Sequence, residues 1–314
     1  MRPKQLAMFL GLSAVWGASF LFIKLAVQSP AAPYNFPPMT MVFVRLAVAG
    51  LLIYGLLKVR GSAFPWQRWF DLAVLGLINA ALPYFLFAWG EQYIDSNLAA
   101  IYNATTPLFN VILALLIVRE ERLSMMRSMG VLVGFCGIVY LFSDSLANIG
   151  GTSRFEVYGE LACVVGSLFY AFGNMWSRRR LKDLEPMQVA TGQLIFGGLW
   201  TLPIVIGVEQ PWQTLSPSLS AAAALGALSI FGTGLAMVVF FRLLKEVGAT
   251  RASQVTYLLP LFGLFWGSFI GEPITTRIVG ALSLVLLSLL IVNGGGDWLL
   301  RRWRGSTKVS PVRY

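Results

Sequence analysis

Two apolar stretches of this chain carry a proline in mid-run, and they are copies of one another. Residues 96–123 read SNLAAIYNATTPLFNVILALLIVREERL, and residues 249–275 read ATRASQVTYLLPLFGLFWGSFIGEPIT. With Pro107 laid over Pro260, Ala99 falls on Ala252, Asn103 on Thr256, Leu108 on Leu261 and Phe109 on Phe262. After a slip of one residue Glu120 falls on Glu272, and further on Arg127 and Gly130 pair with Arg277 and Gly280. A membrane helix tolerates such a proline where neighbouring helices or Ser/Thr side chains satisfy the carbonyl it frees. Interrupted helices at matching places in two halves point to a transporter's binding site. Close helix packing through small residues is the plainer reading, and the duplication favours a cavity-lining role.

Of the 314 residues, 57% are hydrophobic and only 12% are charged, against roughly 25% charged in soluble domains. This is the composition of a multi-pass membrane protein. The net charge of +10 does not indicate nucleic acid, because the cations sit in short loops between apolar segments, as an orientation signal does. About ten segments approach the ~20 residues a bilayer requires. They are 5–27, 39–57, 69–90, 96–118, 126–142, 159–177, 187–207, 218–241, 249–270 and 274–293. The start, MRPKQLAMFLGL, resembles a signal peptide, but its apolar run is too long and reads as a retained first helix. With the N-terminus in the cytoplasm, Lys4, Lys58, Arg60, Arg68, Arg122, the Arg178–Arg180 run and the basic tail fall inside, and Arg154 and Arg277 outside. That bias predicts both termini in the cytoplasm and an even number of spans.

The halves match again elsewhere. Pro38-Met39 echoes Pro186-Met187, Gly17 lies over Gly166 and Phe20 over Phe169. With an odd number of helices per half, the second half enters from the opposite side, so the repeat is inverted, with a substrate expected near the midplane. The units are 1–148 and 149–314, the second carrying the basic tail.

Intramembrane charges are costly and mostly functional. Two are expected, Lys24 and Arg45, both towards the outer side. Each either snorkels to the interface or holds an anion, for which the arginine fork suits a carboxylate or phosphate. Neutral polar residues supply the rest of the candidate pocket. Asn103 and Thr106 share a face of the fourth segment with Ala99 and Asn110. Thr256 shares one with Ser253 and Pro260, with Gln254 and Tyr257 beside it. Asn79 and Tyr84 flank Pro83, Tyr170 and Asn174 are one turn apart, and Trp16 lies near Gly17 and Phe20. Such a pocket is mostly apolar and aromatic with a few oriented polar groups. Gly130, Gly134 and Gly137 form a small-residue strip for packing or for a dimer face.

Absences narrow the function. The chain has no histidine and two cysteines, Cys136 and Cys163, which are expected buried and unpaired. A zinc site and Ser/His/Asp chemistry are thereby disfavoured. No phosphate-binding glycine loop is present, which argues against an ATP-driven pump. No Asp or Glu is expected deep in a span, so no proton-coupling site is visible. No catalytic residue, metal or cofactor is implied.

WGASFLFIKLA, VRLAVAGLL, PLFNVILALLIVREERLS and IGEPIT resemble the EamA-type branch of the drug/metabolite transporter superfamily, over roughly residues 5–293. The resemblance implies an all-α integral membrane protein of ten helices, as two inverted five-helix repeats around a central cavity. It also implies a bacterial inner-membrane location and a secondary transporter, with amino acids, nucleotide sugars, vitamins and cationic drugs among the family's cargoes. The second copy departs from the first in having Pro273 where the first continues charged with Glu121. The expectation is alternating-access export of an amino acid or related carboxylate or zwitterion. The alternative is a flippase of a lipid or lipid-linked sugar. The partners implied are a small-molecule substrate and membrane lipid, not nucleic acid; monomer and homodimer fit the sequence equally.

Overall fold

The computed structural model describes residues 1–29, 31–118, 125–147 and 153–292. Glu120, Glu121, Arg122 and the basic tail lie outside them. Among the described residues eight helices are long and apolar enough to cross a membrane. They are α1 (Pro3–Ala26), α2 (Pro38–Val59), α3 (Trp66–Gly90), α4 (Ser96–Leu116), α5 (Met125–Ser143), α6 (Arg154–Arg180), α7 (Pro186–Glu209) and α8 (Leu219–Val247). Two shorter helices follow, α9 (Val255–Ser268), reached through a turn of helix at Ala249–Ser253, and α10 (Thr276–Leu290). The β-pairing among these residues is limited to isolated bridges in the α1–α2 loop.

Helix starts follow from local chemistry. Pro3, Pro38 and Pro186 stand at first helical positions, where a missing N–H costs nothing. Ser218 and Thr275 cap α8 and α10 by accepting from the Ala221 and Ile278 amides. Two other caps are borrowed from distant chain. Glu209, at the end of α7, accepts from the Met39 and Thr40 amides at 2.8 and 2.6 Å. Glu272, in the α9–α10 loop, accepts from the Ser96 and Asn97 amides at 2.7 and 3.0 Å and from Ser96 Oγ at 2.9 Å. Both place negative charge where the helix dipole favours it.

The duplicated proline does not break its two helices alike. α4 is interrupted by a turn at 104–105, just before Pro107. There the Ala104 and Thr105 amides reach back three residues, to Ile101 and Tyr102. α9 breaks earlier, at Gln254, and runs on through Pro260. In both copies the proline frees the carbonyl four residues back, which belongs to Asn103 in one and Thr256 in the other.

Packing pairs helices across the two halves. α2 lies along α7 and α5 along α10; α1 packs on α9 and α8, α6 on α4 and α3, and α4 touches α9. Exchanging each helix for the one five places on maps this set onto itself. Backbones approach closely at glycines. A Cβ at Gly263 would stand 2.3 Å from Ala100 Cβ, and one at Gly17 would stand 2.4 Å from Phe262 Cβ. Gly130, Gly134 and Gly137 are covered by Val292, Ser288 and Leu284 at α10, so the strip packs within the chain.

Two apolar cores result. One gathers around α4, α5, α9 and α10, the other around α2, α3, α7 and α8, and Tyr170 and Phe240 pack against both. Two expectations are corrected. Cys136 is exposed on α5 and only Cys163 is buried, because Cys136 shares the outward stripe of Leu132, Val139 and Tyr140. α6 and α8 extend beyond the expected spans, since their polar ends continue the helix.

Candidate functional site

The seam between the two cores carries the buried cation. Arg45, on α2, is only 7% exposed. Its Nε donates to Thr233 Oγ1 at 2.9 Å, and its guanidinium lies 4.0 Å from the centroid of the Tyr84 ring. A ring face attracts a cation, more strongly when both are desolvated. Tyr84 meets Tyr170 edge-on at 6.2 Å, and Tyr170 stacks on Phe87 at 6.0 Å. Thr233 sits in a π-helical stretch of α8 (Leu228–Leu235), donating to the Leu228 carbonyl five residues back. Such bulges recur at functional sites. Among the described residues no carboxylate lies in ion-pair range of Arg45. The hydrogen bond shown for the Arg45 guanidinium is made by Nε alone. Thr233 was not singled out from the sequence; its signal is the Gly232-Thr233-Gly234 interruption of an apolar run.

Asn79 lies in a second π-helical stretch, Leu77–Ala81. Pro83 lacks the amide that would bond the Asn79 carbonyl. Gln193 of α7 replaces it, donating Nε2 to that carbonyl at 3.3 Å and accepting from Asn79 Nδ2 at 3.1 Å. The structure thus brings Arg45, Tyr84 and Tyr170 together and ties Asn79 to α7. Trp16 is half-buried, 5.3 Å from Phe240 on the seam. Asn103 and Thr106 flank the α4 break, both half-buried, and Thr106 Oγ1 is buried with no hydrogen-bond partner among the described residues. Thr256 donates to the Ser253 carbonyl at 2.8 Å, and Tyr257 is half-buried against the α4–α9 core. Asn174 and Gln254 are exposed.

Lys24 Nζ donates to the carbonyls of Glu91 and Ile94 at 3.0 and 2.7 Å, closing the C-terminal end of α3 onto α1. A concavity of about 500 Å³ is lined by Arg2, Lys4, Gln5 and Glu246. It lies among helix ends, apart from the Arg45 cluster. Arg68, Asp71, Arg180 and Asp183 form an ion-pair network joining α3 to the α6–α7 turn. The exposed Asp183 carboxyl is held below the usual range by its hydrogen bond from Arg68.

The profile of the EamA-like transporter family matches the chain twice, at residues 4–143 and again at 157–294. The chain belongs to the EamA-like transporter family. Another of the proteins similar to this EamA chain is the uncharacterized inner membrane transporter YedA of Escherichia coli (strain K12). It is 28% identical over 302 residues, spanning 94% of each chain. An uncharacterized transporter of Archaeoglobus fulgidus is 25% identical over 278 residues, covering 88% of this chain and 94% of its own. The chloroplastic WAT1-related protein At3g02690 of Arabidopsis thaliana is 26% identical over 285 residues, covering 88% of this chain and 66% of its own. A crystal structure sharing 18% identity superposes with a TM-score of 0.64, over 96% of this chain and all of the other, which shows a shared fold. This EamA protein is a multi-pass plasma-membrane protein and a membrane transporter.

Proposed function

We propose that this transporter is an alternating-access exporter of a small zwitterionic or anionic metabolite, an amino acid or a related carboxylate. The observation that carries the reading is Arg45, a buried guanidinium on the seam with an aromatic floor and, among the described residues, no carboxylate in ion-pair range. A planar fork of this kind holds a carboxylate through two charge-assisted hydrogen bonds. Trp16, Tyr84, Tyr170 and Phe240 supply apolar walls for the rest of the solute, and Asn79, Asn103, Thr106, Thr256 and Tyr257 supply polar contacts. The carbonyls freed by Pro107 and Pro260 add acceptors for an ammonium group, as unwound membrane helices do elsewhere.

The scaffold under this proposal has ten spans in two inverted five-helix repeats, 1–148 and 149–314, with α9 and α10 crossing alongside the longer eight. The double family match and the exchange symmetry of the helix pairs support it. So does the concentration of Lys and Arg on one side, which sets both termini in the cytoplasm. Reporter fusions at Arg180 and Gln213 should therefore report opposite sides of the membrane; the same side for both defeats the ten-span arrangement. The substrate reading is tested on purified protein in liposomes, with uptake of a labelled panel of amino acids, organic acids and organic cations. Saturable movement of a carboxylate-bearing solute is expected, and a protein that moves only the cations refutes the proposal.

A further inference from the structure

One buried acid has no partner to keep it charged. Asp71, Glu91, Glu160 and Glu272 are all buried. Asp71 is paired with Arg68 and Arg180, Glu160 accepts from Ser145 at 2.9 Å, and Glu272 accepts from Ser96 and Asn97. Glu91 is 0% exposed, and neither carboxyl oxygen has a hydrogen-bond partner among the described residues. The nearby Lys24 ammonium is spent on main-chain carbonyls and makes no ion pair with the Glu91 carboxyl. A bare carboxylate in a dry site costs several kcal/mol, and such a group takes up a proton instead.

Lys24 faces Glu91 from α1, Arg45 from α2, Cys163 from α6 and Glu272 from the α9–α10 loop. Gly90 lies so close to α6 that a Cβ there would stand 2.7 Å from the Gly159 carbonyl oxygen and 2.9 Å from Cys163 Sγ. Burial pushes the Glu91 carboxyl well above the usual carboxylate range, and Lys24 opposes that without balancing it.

Position links this acid to the seam. Glu91, the C-cap of α3, continues the face that carries Phe87 and Tyr84, at spacings of four and three residues. Phe87 stacks on Tyr170, and Tyr84 lies under Arg45. Arg45 and Glu91 are thus joined through one face of α3, and any displacement of that helix at Arg45 would be carried to the Glu91 end. Withdrawal of the α3–α4 turn from α1 admits water and frees the ammonium to face the carboxylate, and both changes favour loss of the proton.

We propose that Glu91 is the proton-carrying site that couples transport by this protein to a proton gradient. The step is a proton transfer alone: water on one side of the membrane gives a proton to a Glu91 oxygen, and water on the other side accepts it. No other bond changes. The proposal rests on the transporter reading, with the amino-acid class as cargo.

The test uses the full chain, purified and reconstituted in liposomes, as wild type, Glu91→Gln and Glu91→Asp. One proton per solute driven by a one-unit pH gradient supports about a tenfold concentration ratio. Wild type is expected to build that ratio with a labelled amino-acid mixture. Glu91→Gln is expected to exchange label for unlabelled solute but to build none, and Glu91→Asp to restore part of the response. Infrared difference spectra of wild type against Glu91→Gln are expected to carry a protonated-carboxyl band at neutral pH. A Glu91→Gln protein that still accumulates solute with the gradient overturns the proposal. If no amino acid moves in any protein, the cargo class fails instead. The infrared band then decides alone, and its absence removes the proton site.

Discussion

Arg45→Gln lowers the affinity for an acidic or zwitterionic substrate by roughly 1–3 kcal/mol, about 5- to 150-fold, the range of a charge-assisted hydrogen bond. The substitution retains a polar side chain but removes both the charge and the fork. Arg45 lies seven residues beyond Pro38, about 10 Å along the helix, at 7% exposure. A lone cation at such depth is unfavourable by a few kcal/mol unless something meets it. The protein offers Thr233 Oγ1 and the Tyr84 face, neither of which carries a negative charge. A carboxylate would complete the set. Arg45→Lys retains the charge without the planar fork and restores only part of the affinity. If Arg45 only fastens α2 to α8, then Arg45→Gln lowers yield while surviving protein binds as before. Substrate affinity and yield measured on the same preparations separate these outcomes, and unchanged affinity refutes the anion site.

Glu272→Ala destabilises the fold by about 2–5 kcal/mol, the cost of stranding buried donors that a carboxylate had satisfied. Three donors lose their acceptor at once: the Ser96 and Asn97 amides and Ser96 Oγ. They stand at the positive end of the α4 dipole, where an anion is favoured. The same carboxylate packs against Gly267, where a Cβ would stand 2.3 Å from Oε2, so truncation also leaves a void. Glu272→Gln retains one acceptor oxygen and should lie between wild type and alanine. Thermal unfolding of detergent-purified protein reads the effect. An unchanged midpoint for Glu272→Ala would mean that water or lipid headgroups replace the carboxylate without cost.

Apolar runs of bilayer length, the helix-starting Pro38 and Pro186, and the paired Pro107 and Pro260 are all local signals, and the helices follow them. Arg45 and Tyr84 were legible as candidates because a charge or a phenol in an apolar run stands out. Their juxtaposition was not, since it depends on the crossing of α2 and α3. Glu91 looked like an ordinary acid near a helix end. Its burial arises where α1 and α6 close on the end of α3, both remote in sequence. The unequal breaks of α4 and α9 were hidden for a similar reason. One proline motif yields two geometries, and α9 is tied to α1 by Ser13, which reaches the Val255 carbonyl at 3.4 Å, and by Trp266, which donates to the Ala14 carbonyl at 2.9 Å.

The borrowed caps set an order for synthesis. Ser96 and the Glu272 that completes its helix are 176 residues apart, and Thr40 and Glu209 are 169 apart. At the usual pace of the ribosome, the start of α4 waits roughly 9–35 s for its acceptor to be made. During that interval the first five helices can insert, but two of them carry exposed amides at one membrane face. The early half thus inserts with the starts of α2 and α4 open to water or headgroups, and those two helix ends gain their carboxylate acceptors only when the second half arrives.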